Sequence, residues 1–280
     1  MKCFMSTLFC AVLVARTVFA QDAAPAGDAS GAAGDSDHSD LAKQSQNPLS
    51  SLISVPYASD FNFNSGPDNR TQYVGTFKPV YPVTVGNWNL VSRAILPLIN
   101  QPVGSSDEEF GLGDLNYSLF FSPADPGKWI WGVGPTVTLP TATDDVLGSG
   151  KFSAGPTAIA LSMPGQWVIG GLVSQQWSFA GEGGREDVNS MAFQYFVNYN
   201  LKKGWSIKST PTILANWEAS SSDTWTVPFG GGVGKVFKIK KQPFSAALQL
   251  FYNVERPDDA ADWDLQFTLT ALFPKGKKGK

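Results

Sequence analysis

The 280-residue chain is 42% hydrophobic, 12% aromatic and only 16% charged, with 28 glycines and 19 prolines, so it has the strand and turn formers of one large β domain. A net charge of −3 argues against a nucleic-acid partner. Two cysteines and one histidine leave little material for disulfides, thiolate metal sites or histidine-based catalysis.

Lys2 is followed by an apolar run, Cys3 to Val14, and by the small-residue site Val18-Phe19-Ala20. This reads as a secretory signal peptide over residues 1–20, cleaved before Gln21, with Arg16 unusually close to the cut. Both cysteines fall inside it, so the mature chain would carry none. Residues 21–53 read as an acidic linker, unstructured over its Ala-, Gly-, Asp- and Ser-rich first half. Leu41, Ser45, Leu49 and Leu52 then recur at roughly helical spacing, interrupted by Pro48. That segment is either a periplasmic spacer with a short helix or, less simply, a plug entering the barrel that follows.

From residue 54 to 273 the sequence alternates. Twelve segments can be laid out, at 54–64, 71–83, 88–98, 113–122, 129–141, 152–163, 167–179, 189–201, 205–217, 224–237, 244–255 and 262–273. In the last, Trp263, Leu265, Phe267, Leu269, Ala271 and Phe273 oppose Asp264, Gln266, Thr268 and Thr270. Successive strand side chains point to opposite faces, so one face is greasy and the other polar. The length suits a tilted membrane-crossing strand. Connections alternate as well: short ones such as Gly86-Asn87 and Lys202-Lys203-Gly204, and longer acidic ones such as 182–187 and 218–223. Trp88, Trp129, Trp167, Trp177, Trp205, Trp217, Trp225 and Trp263 stand near segment ends, where a membrane interface would hold them. A soluble sandwich would alternate too, but has no need of such girdles. The expected fold is all-β: a transmembrane antiparallel up-and-down barrel of about 12 strands, first strand paired with last, both termini periplasmic, with a basic tail at 274–280.

Alternation assigns Lys78, Arg93, Asp114, Asn116, Gln194, Asn198, Lys208, Asn216, Gln249, Asn253, Glu255, Asp264 and Gln266 to the lumen. Charges of both signs could line a polar pore or pair across it and shut it; twelve strands lie between a filled barrel and an open channel. Pro79, Pro97, Pro135, Pro156, Pro211 and Pro228 fall inside strands, where each removes a ladder donor. They mark bulges near a rim or, more sharply, a wall that opens sideways to let an apolar solute into the membrane.

Several runs resemble a known bacterial outer-membrane family: Leu41-Ala-Lys-Gln-Ser-Gln-Asn-Pro48, Ile53-Ser-Val-Pro56, Phe110-Gly-Leu-Gly-Asp114, Trp131-Gly-Val-Gly-Pro135, Leu139-Pro-Thr-Ala-Thr143 and Tyr252-Asn-Val-Glu-Arg-Pro257. The family is transporter-like, is similar to the phenol-degradation MetA-pathway barrels, and often carries the misleading name neuromedin U. The resemblance implies an outer-membrane barrel passing small solutes, hydrophobic or aromatic ones among them. The lysine-rich tail after Phe273 departs from barrels that finish on a terminal aromatic.

No catalytic residues, metal site or cofactor are expected. His38 lies in the linker, away from any fixed nucleophile, and a triad needs base and nucleophile within hydrogen-bond reach. Asp144-Asp145 and Asp258-Asp259 lack the spacing of a calcium loop. The chain is thus expected to be a non-enzymatic, porin-like channel of the Gram-negative envelope. Its expected partners are outer-membrane lipid, a small-molecule solute and the barrel-assembly machinery. The alternative is a non-conducting structural or adhesion barrel binding a partner through its acidic outer loops.

Overall fold

A computed structural model describes residues 41–274. The expected signal peptide, the acidic stretch before residue 41 and the basic tail after residue 274 lie outside the described residues. Within them, fifteen strand segments form one closed antiparallel sheet. They are β1 (Ile53–Ser65), β2 (Arg70–Phe77), β3 (Val80–Val85), β4 (Trp88–Val103), β5 (Asp107–Leu112), β6 (Leu115–Pro123), β7 (Trp129–Leu139), β8 (Lys151–Ser162), β9 (Trp167–Gly181), β10 (Asn189–Asn200), β11 (Trp205–Ser209), β12 (Thr212–Asn216), β13 (Trp225–Ile239), β14 (Gln242–Glu255) and β15 (Trp263–Phe273). Three pairs, β2–β3, β5–β6 and β11–β12, are single staves interrupted in the middle, so the barrel has twelve staves. Closure runs through β1 and β15, in unbroken register from Ile53↔Phe273 to Phe63↔Trp263.

The interruptions have a local cause. Lys78-Pro79 divides β2 from β3, and Thr210-Pro211 divides β11 from β12; proline cannot donate to the ladder. The Gly-Pro pairs act differently. Pro135 sits directly across from Pro156 in the β7–β8 ladder, and each leaves a short gap toward its other neighbour, β6 or β9. The glycine before each proline lets the strands close in: a Cβ on Gly134 would lie 1.8 Å from the Leu119 carbonyl oxygen, and one on Gly155 1.9 Å from that of Gln175.

The outside is apolar. On β15, Trp263, Phe267, Leu269 and Phe273 are exposed, while the inward Thr270 and Leu272 are buried. Trp88, Trp129, Trp167 and Trp205 begin strands at the short-turn end; Trp177, Trp217, Trp225 and Trp263 stand at the long-loop end. Those two girdles with a greasy band between them are what an interface on each side of a hydrocarbon core requires. No helix among the described residues is long and apolar enough to cross a membrane; the strands do the crossing. The protein is an outer-membrane β-barrel.

The inside is less polar than alternation alone suggests. Val91, Phe120, Ile130, Ile159, Leu161, Val168, Leu172 and Phe196, all from β4–β10, pack into an apolar core at the short-turn end. Leu49 completes it. The segment before β1, with residues 41–45 helical, therefore folds into the periplasmic mouth: Leu41, Ala42 and Leu52 pack on Val236 and Leu272. Leu41, Ala42, Leu49 and Leu52 are buried here, four apolar side chains that a solvated spacer would leave in water, and the segment is called the plug below.

Candidate functional site: the lumen and its side wall

Above the plug the lumen continues as three connected spaces. An outer vestibule of about 890 Å³ is bounded by the long loops, including Ser149, Arg185, Asp187, Asn216, Asp223 and Pro257. It shares Ser174, Gln176, Ala192 and Leu214 with a middle chamber of about 490 Å³. That chamber shares Lys78, Arg93, Gln194 and Thr212 with an inner cavity of about 230 Å³, whose floor is plug residues Ser45–Pro48, Ser50 and Leu52. A path thus leads inward from the cell surface and ends on the plug.

The sequence-assigned lumen residues separate by their place in the barrel. Lys78, Arg93, Gln194, Asn198, Lys208, Gln249 and Gln266 line the inner cavity, and Asn116 lines the middle chamber. Gln249 Nε2 donates to Thr210 Oγ1 at 2.9 Å and to Gln266 Oε1 at 3.2 Å, while Gln266 Nε2 donates to Asp60 Oδ1 at 2.7 Å. Asp264 is inward but set apart, with a buried Oδ1 that has no hydrogen-bond partner. Asn216 and Glu255 stand at the outer ends of β12 and β14, the first on the vestibule. Asp114 is placed elsewhere. It accepts hydrogen bonds from Ala142 N, Ser149 N and Ser149 Oγ, and so anchors the 140–150 loop. The interruption between β5 and β6 at Gly113-Asp114 removes it from the alternation that assigned it inward. Asn253 likewise serves a loop, donating to the Ala261 carbonyl at 2.7 Å.

Three features escaped the sequence. Asp60 shares the electrostatic neighbourhood of Lys78 with Asp264 and Arg93; its alternate spacing with Ala58 and Asn62 was a usable signal. Gln46 and Asn47 form the floor. Thr210 lies at the break in the β11–β12 stave.

That break opens the wall. Pairing of β11 with β13 stops at Lys208↔Gly232 and resumes only at Leu214↔Thr226. Between them, residues 209–213 face 227–231 without a ladder pair, bridged by Ser209 Oγ donating to the Gly230 carbonyl at 2.6 Å. Pro228 coincides with a register shift on the far side of β13. Over this gap lies an outward groove of about 680 Å³ lined by Trp167, Val197, Tyr199, Ile207 and Val233 and by Gly230–Gly232, which add no side chains. Lys208 borders both groove and inner cavity. Unpaired backbone at membrane depth is tolerated where it borders a polar cavity rather than bare lipid.

The vestibule walls are tied by arginines and carboxylates. Arg185 donates to the carbonyls of Asp145, Gly148 and Ser149, joining the 140–150 and 182–188 loops. Lys151 donates to Asp187 at 3.0 Å, and this bond holds the Asp187 carboxyl below the usual carboxylate range. Asn64, donating to Asp262 at 2.8 Å, and the adjoining Arg256 do the same for Asp262.

Among solved structures, the fold is similar to an outer membrane channel from Pseudomonas putida F1, with a TM-score of 0.61 at 16% identity over 79% of this chain and 94% of that one. Weaker matches are the Salmonella typhi outer membrane phospholipase (TM-score 0.42, 12% identity, 79% of this chain and 91% of that one) and the Pseudomonas putida toluene transporter TodX (0.37, 8%, 79% and 86%). At these identities the likeness is one of fold. No curated protein matches the sequence. Residues 54–258, nearly the whole barrel, match the family model described as the putative MetA-pathway of phenol degradation, and the chain belongs to that family.

Proposed function

We propose that the protein carries small apolar solutes, aromatic ones among them, passively from the cell surface down the lumen and out sideways into the membrane. The observation that carries this reading is the five-residue gap in the β11/β12–β13 ladder, which lies between the inner cavity and an apolar groove facing lipid. The plug supports the same route. Its floor of Ser45–Pro48, Ser50 and Leu52 lies across the straight way to the periplasm, so the exit that needs least rearrangement is lateral. A solute leaving there moves from a mixed polar lumen to apolar side chains without crossing bulk water, and apolar transfer of that kind is favourable.

Insertion of the barrel is assigned to the barrel-assembly machinery. Lumen polarity over Lys78, Arg93, Asn116, Gln194, Asn198, Lys208, Gln249 and Gln266 is assigned the selective role.

The test is uptake of an uncharged aromatic, toluene, into vesicles with a lipopolysaccharide outer leaflet, with and without purified barrel. Faster uptake with the barrel is expected. Equal rates, with the barrel folded by its heat-modifiable gel mobility, would favour the non-conducting adhesion barrel instead.

A further inference from the structure

The inner cavity is lined by three cations, Lys78, Arg93 and Lys208, and by no carboxylate. Its remaining walls are amides, hydroxyls and apolar groups. Among the described residues none of the three cations forms a hydrogen bond or ion pair. The nearby acids, Asp60 and Asp264, act on Lys78 but lie off the cavity lining, and Lys208 is on the far side, next to the gap in the wall. The mixture of signs read from alternation is therefore sorted in space: acids behind, cations in front.

Two positive charges without a facing acid, on Arg93 and Lys208, beside one small chamber are costly, and an anionic occupant offsets that cost. We infer that this cavity holds the carboxylate head of an amphiphilic solute whose apolar body lies in the side groove. The assignment deepens the proposed lateral passage and rests on it. Lys208 is the pivot, because it borders both spaces. The groove offers Trp167, Val197, Ile207 and Val233 to the body, and the cavity is too small, at about 230 Å³, for more than a head group and a little of the tail. A charged hydrogen bond from lysine or arginine to a carboxylate is stronger than a neutral one, which favours acid over alcohol.

The experiment measures binding of decanoate, decanol and acetate to the intact barrel in lipid nanodiscs, with empty nanodiscs as reference. Decanoate is expected to bind about tenfold or more tightly than decanol, and acetate weakly. Lys208→Met should remove the preference for decanoate over decanol, whereas Lys208→Arg should keep it. Arg93→Met gives a second reading should Lys208→Met fail to show the heat-modifiable band of a folded barrel. Equal binding of acid and alcohol, no change in either Met variant, or competition by acetate as strong as by decanoate would each overturn the assignment, the last in favour of a simple anion site. Toluene uptake is scored separately. Its absence beside intact, Lys208-dependent decanoate binding would sink lateral passage and leave the head-group site standing.

Discussion

Gln46 and Asn200 face each other amide to amide: Gln46 Nε2 donates to Asn200 Oδ1 at 2.9 Å, and Asn200 Nδ2 returns a bond to Gln46 Oε1 at 3.2 Å. The two residues are 154 positions apart in sequence, one on the plug and one at the periplasmic end of β10. This pair orients the plug, and Leu49 seats it in the apolar core.

Loosening the plug should therefore open the straight path. Gln46→Ala removes both amide bonds, at about 1 kcal/mol each, and is expected to give brief openings in single-channel recordings. Leu49→Asp would bury a charge in the apolar core, far costlier than the about 2–5 kcal/mol of a Leu→Ala truncation. It should give sustained conductance. Unchanged conductance in both variants would mean the segment does not control the lumen.

Filling the side groove should separate two activities. Ser209 borders the groove, and Ser209→Phe would place a ring there. Toluene uptake is expected to fall severalfold while ion conductance, measured in the Leu49→Asp background, stays as it was. Conductance and uptake falling together would point to a single axial path.

The glycines before Pro135 and Pro156 should be intolerant of any side chain. Gly134→Ala puts a Cβ 1.8 Å from the Leu119 carbonyl, a clash no rotamer relieves. The folded, heat-modifiable band should be lost. Gly127→Ala, with open space around the new Cβ, is the matched control and should fold normally.

The outer loops should respond to acid in a defined direction. The Asp187 and Asp262 carboxyls are held below the ordinary value of 3.8 when folded, by Lys151 and by Asn64 with Arg256. Their contribution is complete above that value and is lost as pH falls through the lower folded one. Hydrogen exchange over residues 182–188 should thus be flat from about pH 7 to about pH 4 after correction for intrinsic rates, and rise only below. Asp187→Asn should remove the acid step. A rise centred near pH 6 would implicate some other group.

How much of this was legible beforehand depends on whether the information is local. Alternation across Trp263 to Phe273 specifies two faces with no knowledge of neighbours, and the same holds around the barrel, so stave number, closure and both tryptophan girdles could be read. The lumen could not be read as well. Alternation says that Phe196 and Asn198 both face inward; it does not say that one joins an apolar core and the other a cavity, which depends on what stands opposite. Asp114 shows a second limit, since one break in a stave redirects a side chain and only the chain's course through space reveals the break. The prolines were legible as missing donors. That Pro211 opens a five-residue gap while Pro135 and Pro156 merely face each other depends on the partner strands.

The seat of the plug bears on the order of events during biogenesis. Leu52, just before β1, packs on Leu272 near the end of β15, and Val236 of β13 completes that contact. The plug's socket is thus made in two parts, β13 and β15 for Leu41, Ala42 and Leu52, and the β4–β10 core for Leu49, and it is complete only when both parts of the barrel are in place. A half-built sheet offers the N-terminal segment only part of that socket, so the lumen stays stoppered only in finished molecules, and accessibility of residues 41–52 to a periplasmic protease would time the completion of each barrel.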